Sequence, residues 1–329
     1  MPKLIASKAR PATPWAARHA GDDYGATATP DWRQIDWRPH LHQVTIDGRS
    51  VNYVDYGAGT DGLEPVVFVH GLGGCWQNFL ENIPRAAAEG RRAIGIDLPG
   101  FGFSEMPAGE ISISGYGRVV NELCDRIDTG EVVLVGNSMG GFISAEMAIQ
   151  FPERVARMVL VSAAGVTTSD LRSGPVLAGA RLVAAVATRT ATMSERVVRR
   201  PHLRLPLYSS FIRHPGRIRA ELLYEITQGS GRPGFMDALR AIMGYDFRDR
   251  LPEIGCSTLI VWGTEDMLVP RSDADEYERL IPQSRKVILE DTGHMAMIER
   301  PQTFNDTLVE FLSEEPGPAK TEAEVEAAT

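Results

Sequence analysis

Cysteine is scarce in this 329-residue chain: Cys75, Cys124 and Cys256 stand far apart, with no CxxC pair among them. So sparse and odd a set excludes a disulfide framework and a cysteine zinc site, and reads as free thiols in a cytoplasmic protein. No run approaches the roughly 18 apolar residues that a membrane-spanning helix needs. The first thirty residues, MPKLIASKARPATPWAARHAGDDYGATATP, hold no uninterrupted apolar stretch, so no secretory signal is expected. Gly 32 and Pro 21 follow no collagen-like period, and 43% hydrophobic with 23% charged residues excludes a largely disordered chain. The length allows one large domain or two ordinary ones, with a sizeable core.

Lysine is missing from one long stretch. Residues 166–250 carry fourteen Arg, no Lys and seven Asp or Glu, a net +7 inside a chain whose total is −9. The remainder is therefore strongly acidic, which excludes a general nucleic-acid binder, because that function needs a basic face over its whole footprint. Arg181, Arg189, Arg196, Arg199, Arg200 and Arg204 fall in one run with a single acidic residue, Glu195. Two readings of that run stay open. It is a solvated face neutralised by the acidic body, or a surface that attracts an anionic substrate or an anionic lipid surface.

Short β-branched runs alternate with helical stretches, the pattern of an α/β protein. His42–Ile46 and Val51–Val54 flank Asp47-Gly48, a strong hairpin signal and an antiparallel start. Six further runs, Val66–Val69, Ala93–Ile96, Val132–Val135, Met158–Val161, Leu259–Trp262 and Val287–Leu289, are apolar on both faces, as strands of a buried parallel sheet must be. Gly117–Ile127 and Gly141–Gln150 have the length and spacing of crossover helices. About a hundred residues separate the Met158 and Leu259 runs, where one crossover helix would need a dozen or so. Val176–Thr190, Ser194–Arg200, Pro215–Gln228 and Phe235–Met243 are the helices expected there, and 166–250 reads as an inserted helical cap. The core is then 41–165 and 251–312. Residues 1–40 form an N-terminal extension whose Trp15, Trp32 and Trp37 imply that it is partly docked. Residues 313–329, SEEPGPAKTEAEVEAAT, read as a disordered acidic tail.

Directly after Val132–Val135 stands Gly136-Asn137-Ser138-Met139-Gly140-Gly141, which fits G-x-S-x-G between a strand and a helix. Small residues are needed on either side because the turn is strained and strand and helix approach closely. Ser138 would be held proud of the sheet at a helix N-terminus, whose dipole favours negative charge. Asp266 lies in the loop after Leu259–Trp262 and His294 in the loop after Val287–Leu289. In a parallel sheet these loops emerge at one edge, so Ser138, Asp266 and His294 can converge. Glu265 and Asp291 compete with Asp266 for the acid position and read as loop charges. After Val69 comes His70-Gly71-Leu72-Gly73-Gly74, whose backbone can turn towards Ser138. The amides of Leu72 and Met139 are the two donors that an acyl-transfer intermediate would need. HGLGG is not a phosphate cradle, since neither G-x-x-x-x-G-K-[ST] nor G-x-G-x-x-G follows. His70 reads as a structural hydrogen-bonder beneath the loop, Ser104 as loop structure, and Cys75 as a small buried hydrophobe.

HGLGG, DLPGFGFSE, GNSMGG, WGTEDMLVP and DTGHMAMIERPQTFN, in this order, resemble the α/β-hydrolase superfamily over roughly residues 41–312. The resemblance implies an eight-stranded, mostly parallel sheet flanked by helices and a Ser-His-Asp hydrolase that needs no cofactor and no metal. Members that use Asp as nucleophile, the epoxide hydrolases and haloalkane dehalogenases, are excluded by Ser138. The GNSMGG elbow is similar to that of hydrolases cleaving carbon–carbon bonds in ring-fission products. Those enzymes usually carry HGSGPG and a Trp after the catalytic His. HGLGG and Met295 look instead like simple carboxylesterases and lipases. Hydrolysis of a small-molecule carboxylic ester is therefore the leading expectation. A ring-fission carbon–carbon hydrolase is the alternative, followed by a non-catalytic ligand-binding protein on the same scaffold.

Overall fold

The computed structural model describes residues 20–167 and 198–314. Asp47 and Gly48 close the first hairpin with positive φ at both positions, 49° and 72°, and Ile46 sits opposite Arg49. This is the backbone of a type I′ turn, whose twist matches that of its strands. It joins β1 (Leu41–Ile46) to β2 (Arg49–Tyr56). Then follow β3 (Val66–Val69), β4 (Ala93–Ile96), β5 (Val132–Asn137), β6 (Val155–Val161), β7 (Ser257–Gly263) and β8 (Ser284–Leu289). All eight form one sheet in the order β1-β2-β4-β3-β5-β6-β7-β8. β2 is antiparallel to both neighbours, and the pairings from β4 through β8 are parallel.

The helices are α1 (Ile83–Ala88), α2 (Ile113–Arg126), α3 (Met139–Gln150), α4 (Pro201–Tyr208), α5 (Ala220–Ile226), α6 (Phe235–Met243), α7 (Ser272–Leu280), α8 (Ala296–Glu299) and α9 (Pro301–Ser313). Strand side chains alternate between two apolar layers. Val67, Val69, Leu134, Leu160 and Trp262 join α2 and α3 on one face. Val66, Phe68, Val133, Val135 and Val261 join α1 and α9 on the other. Each fully buried aliphatic side chain contributes about 1.5–3 kcal/mol, so both layers are needed to hold a sheet with two apolar faces. β8 departs from that expectation. It pairs on one side only, with β7, and its residues up to Ile288 are only half-buried. Lys286 there bridges to Asp275 and Glu278, giving the edge the charge that blunts strand pairing with another chain. Among the described residues no helix is long and apolar enough to cross a membrane.

The chain between β6 and β7 is the long insertion, and 168–197 of it lies outside the described residues, including the expected helix Val176–Thr190. Phe235–Met243 is helical over the range its pattern predicts. Pro215–Gln228 is not: the helix covers only Ala220–Ile226. The reason is Arg204, whose guanidinium donates to the carbonyls of Val198, Pro215 and Ile218. Carbonyls turned towards that side chain do not continue a helical ladder. Arg204 is only 5% exposed, so it is not part of a solvated arginine face. Arg199 and Arg200 are exposed, and Arg181, Arg189 and Arg196 lie outside the described residues.

Residues 20–40 lie on the body. Glu81 accepts from the Ala28 amide and the Trp32 indole at 2.8 and 3.0 Å. Trp37 packs against Trp76 and Tyr56 at 5.2 and 5.4 Å between ring centres. Trp15 lies outside the described residues, as do residues 315–329 of the tail.

Candidate active site

β5 runs through a single residue, Ser138, into α3. Ser138 has φ 57° and ψ −117°, a conformation that costs a non-glycine residue of order 1–3 kcal/mol and survives only where the surroundings hold it. They do. The Ser138 amide donates to Val161 O at 2.9 Å, and its carbonyl accepts from the amides of Phe142 and Ala164. Glycine is obligatory around it: a Cβ on Gly136 would stand 2.3 Å from Gly140 O, and one on Gly140 would stand 2.0 Å from Val69 O. Ser138 is half-buried and caps α3, so Met139 is the first helical residue and its N–H has no acceptor within the helix.

His294 follows β8 and Asp266 follows β7, and both are buried. His294 Nδ1 donates to Asp266 Oδ2 at 2.8 Å. The other oxygen, Oδ1, accepts from the amides of Leu268 and Val269 at 2.8 and 3.0 Å. The acid is thus fixed by its own loop and aims one oxygen at the imidazole. That sets the tautomer: Nδ1 carries the proton, and Nε2 is left as a base.

One side chain ties the two loops together. Asn137 Nδ2 donates to Val161 O at 3.1 Å and to His294 O at 3.2 Å, so the residue before Ser138 is bonded to the backbone of His294. Sequence reasoning passed over Asn137 as the variable position of G-x-S-x-G. The signal was an amide that bonds in two directions at a place where the motif demands nothing.

The competing acids are accounted for. Glu265 pairs with Arg213 at 3.2 Å. Asp291 pairs with Arg213 at 3.0 Å and with His214 at 2.7 Å. Burial pushes the Asp291 carboxyl up, but its bonds to His214 and Arg213 outweigh this and hold it below the usual range. Both acids face the insertion, and Asp266 holds the histidine.

The HGLGG loop lies against the elbow. A Cβ on Gly71 would stand 3.0 Å from Ser138 Cβ, which brings Leu72 to within one residue of that contact. His70 lies beneath, fully buried. Its Nε2 accepts from the Leu98 amide at 3.0 Å and its Nδ1 donates to Gly71 O at 2.8 Å. Burial pulls the His70 imidazole down to about 4, so it stays neutral and shapes the loop. Ser104 is loop structure as expected: its hydroxyl donates to Asp97 O and accepts from the Asn52 amide. The Cys75 thiol is buried 3.9 Å from Ile226 O, and burial pushes it well above the usual thiol range. It is a hydrophobe here rather than a nucleophile. Among the described residues no three His, Cys, Asp or Glu side chains cluster so as to hold a metal ion.

A mostly parallel sheet of this order, with a strained serine between β5 and α3 and a histidine–aspartate pair after β8 and β7, defines a class, the α/β hydrolases. The family described as alpha/beta hydrolase fold matches residues 64–301, and the chain belongs to it. A 2-hydroxy-6-oxononadienedioate/2-hydroxy-6-oxononatrienedioate hydrolase of Escherichia coli is 30% identical over 276 residues, 80% of this chain and 91% of that protein. The dihydrolipoyllysine-residue acetyltransferase component of an acetoin cleaving system from Pseudomonas putida is 29% identical, over 83% of this chain and 70% of its own. Among solved structures, a thermophilic esterase from Thermogutta terrifontis is similar with a TM-score of 0.65 at 25% identity, covering 83% of this chain and 97% of that one.

Proposed function

We propose that the chain is a serine hydrolase that cleaves a carboxylic ester of a small to medium hydrophobic substrate through an acyl-enzyme on Ser138. The observation that carries the reading is the buried Asp266–His294 hydrogen bond, tied through Asn137 to the turn of a strained, half-buried serine. Ser138 Oγ attacks the ester carbonyl carbon and its proton passes to His294 Nε2. The displaced electron pair rests on the carbonyl oxygen, which the amides of Leu72 and Met139 receive. Each such donor contributes on the order of 2.7–4 kcal/mol. The bond to the alcohol then breaks, and His294 returns its proton to the leaving oxygen. Water attacks the acyl-enzyme with His294 again as base, releasing the carboxylic acid and restoring Ser138. Asp266 holds the imidazole in orientation and stabilises its charged form.

HGLGG and Met295 favour the ester over the carbon–carbon bond. The second reading, hydrolysis of a ring-fission dienone, is favoured by the 30% identity to the Escherichia coli hydrolase and by the GNSMGG elbow. The two are separated by assaying p-nitrophenyl esters from acetate to palmitate beside a meta-cleavage dienone, with Ser138→Ala as the blank. Turnover of the esters is expected. Appreciable turnover of the dienone with negligible turnover of every ester would replace the first reading by the second. Ligand binding with no burst of p-nitrophenol would make the chain a binding protein. An anionic partner for the insertion remains a proposal that rests on exposed arginines such as Arg200. It requires kcat/KM for an anionic ester to fall steeply with salt while that for a neutral ester stays level.

A further inference from the structure

Glu299 is a fully buried carboxylate that the chemistry above does not use. Every polar group on it is a donor. Oε2 accepts from the Gly293 amide at 2.9 Å, from the Arg213 amide at 2.9 Å and from the Tyr24 hydroxyl. Oε1 accepts from the Met295 amide at 3.1 Å. Gly293 and Met295 are the two neighbours of His294, so one carboxylate grips the backbone on both sides of the candidate base. The amide between them, that of His294, donates to Phe211 O at 3.1 Å. Three successive N–H groups are thereby fixed. A Cβ at 293 would stand 2.9 Å from both the Arg213 backbone nitrogen and Glu299 Oε1, so a side chain there would force backbone or carboxylate to shift.

Tyr24 completes the arrangement from the far end of the chain. Its hydroxyl accepts from the His214 amide at 2.8 Å, which directs its own proton to Glu299. The Gly25 amide donates to Glu299 O at 2.7 Å, and the Arg300 guanidinium covers the Tyr24 ring at 5.2 Å from its centre. Arg300 and Thr303 also bind Asp23. A buried carboxylate that loses one of its donors is left partly unsatisfied, and the backbone it grips shifts until it finds another.

We propose that Tyr24 and Glu299 form a positioning pair that holds His294 in register with Asp266 and Ser138, so that the N-terminal extension takes part in catalysis without touching substrate. The pair rests on the reading of His294 as the base. A misplacement of a catalytic group by about 1 Å costs up to roughly a hundredfold in rate. Loss of one donor among four moves the loop less than that.

The test is a set of variants assayed with p-nitrophenyl acetate, with rates normalised to the thermally folded fraction. Tyr24→Phe deletes only the hydroxyl. It is expected to lower kcat about tenfold and leave KM within about twofold, since an interaction felt only in the transition state affects kcat alone. Asp23→Ala also loosens the extension, through the lost bonds to Arg300 and Thr303, but removes no donor from Glu299, and is expected to lower Tm with kcat within twofold. In a His294→Ala background the Tyr24→Phe effect should vanish, because its route to the reaction is gone. Equal kcat for Tyr24→Phe and wild type would overturn the pair, and so would an equal loss from Asp23→Ala. A tenfold loss that persists without His294 would also overturn it. Near-normal turnover in His294→Ala alone would instead remove the reading of His294, a separate result. If Tyr24→Phe is too unstable to assay at 25 °C, the same comparison of Tyr24→Phe with wild type is made at 10 °C, with Asp23→Ala at that temperature as the control, and equal kcat there overturns the pair.

Discussion

Asp266 gives one oxygen to His294 Nδ1 at 2.8 Å and the other to two amides of its own loop. The acid is therefore set before the histidine arrives, and the imidazole is oriented by a group with no freedom to turn. Asp266→Asn would keep the shape but place an amide opposite Nδ1–H, or force the other tautomer. By analogy with such exchanges kcat should fall on the order of 10⁴-fold with the fold intact. Ser138→Ala and His294→Ala should each cost on the order of 10⁶, and the double variant scarcely more. Steady-state rates on one p-nitrophenyl ester check all four proteins. Additive losses would mean that the residues act separately.

Cys75 follows HGLGG, close enough to the oxyanion loop to invite a chemical role. Its burial and its contact with Ile226 O argue for packing alone. Cys75→Ser exchanges a soft apolar atom for a hydroxyl in the same volume and is expected to keep at least a tenth of wild-type kcat/KM. Complete loss of activity in a folded variant would give the thiol a role in the reaction.

The strands and the elbow were readable in the sequence because they answer to local rules. Val66–Val69 has the same bounds as pattern and as strand, and GNSMGG demands glycine where backbones nearly touch. The meeting of the loops that carry Ser138, Asp266 and His294 was readable because parallel strands send the loops after β5, β7 and β8 to one edge. Glu299 was not: it stands beside Arg300 after the apolar run Met295–Ile298 and reads as an ordinary surface charge. Its partners Tyr24 and Arg213 lie 275 and 86 positions away, and no local pattern encodes such distances. Arg204 failed for the same reason: its partners are carbonyls, which every sequence possesses. The half-exposed β8 reflects strand order, which apolar runs do not reveal.

Asp273, at the start of α7, gives a pH dependence of stability. Thr167 donates to its Oδ2 through amide and hydroxyl at 3.0 and 2.9 Å, while Oδ1 is buried with no hydrogen-bond partner among the described residues. Burial first, with the Asp266 charge adding to it, pushes the carboxyl from 3.8 to about 6. The folded state then holds this proton more tightly than the unfolded state. Stability from this group is full below about 4 and is lost as pH rises to about 6, on the order of 3 kcal/mol in all. Asp273→Asn cannot ionise, so its stability relative to wild type should rise between pH 4 and pH 8. Urea melts at the two pH values measure that difference. A difference independent of pH would mean that Asp273 does not titrate in this window.

Arg204 separates the structural from the electrostatic content of the arginine-rich insertion. Its guanidinium is buried on the carbonyls of Val198, Pro215 and Ile218, and burial lowers its affinity for its proton. Three chain segments meet on one side chain, and Arg204→Met would keep the apolar stem while leaving three carbonyls without their donor. Buried acceptors left unmade cost about 1–3 kcal/mol each, reduced where the chain relaxes, so a loss of about 2–4 kcal/mol is expected. For a protein of this length that is a drop of several degrees or more in Tm. The charge itself is enclosed, so the salt dependence of kcat/KM for an anionic ester should match wild type, whereas exchange of the exposed Arg200 is the variant that could alter it. An Arg204→Met protein with unchanged Tm and an altered salt response would place that guanidinium in solvent and return it to the surface charge.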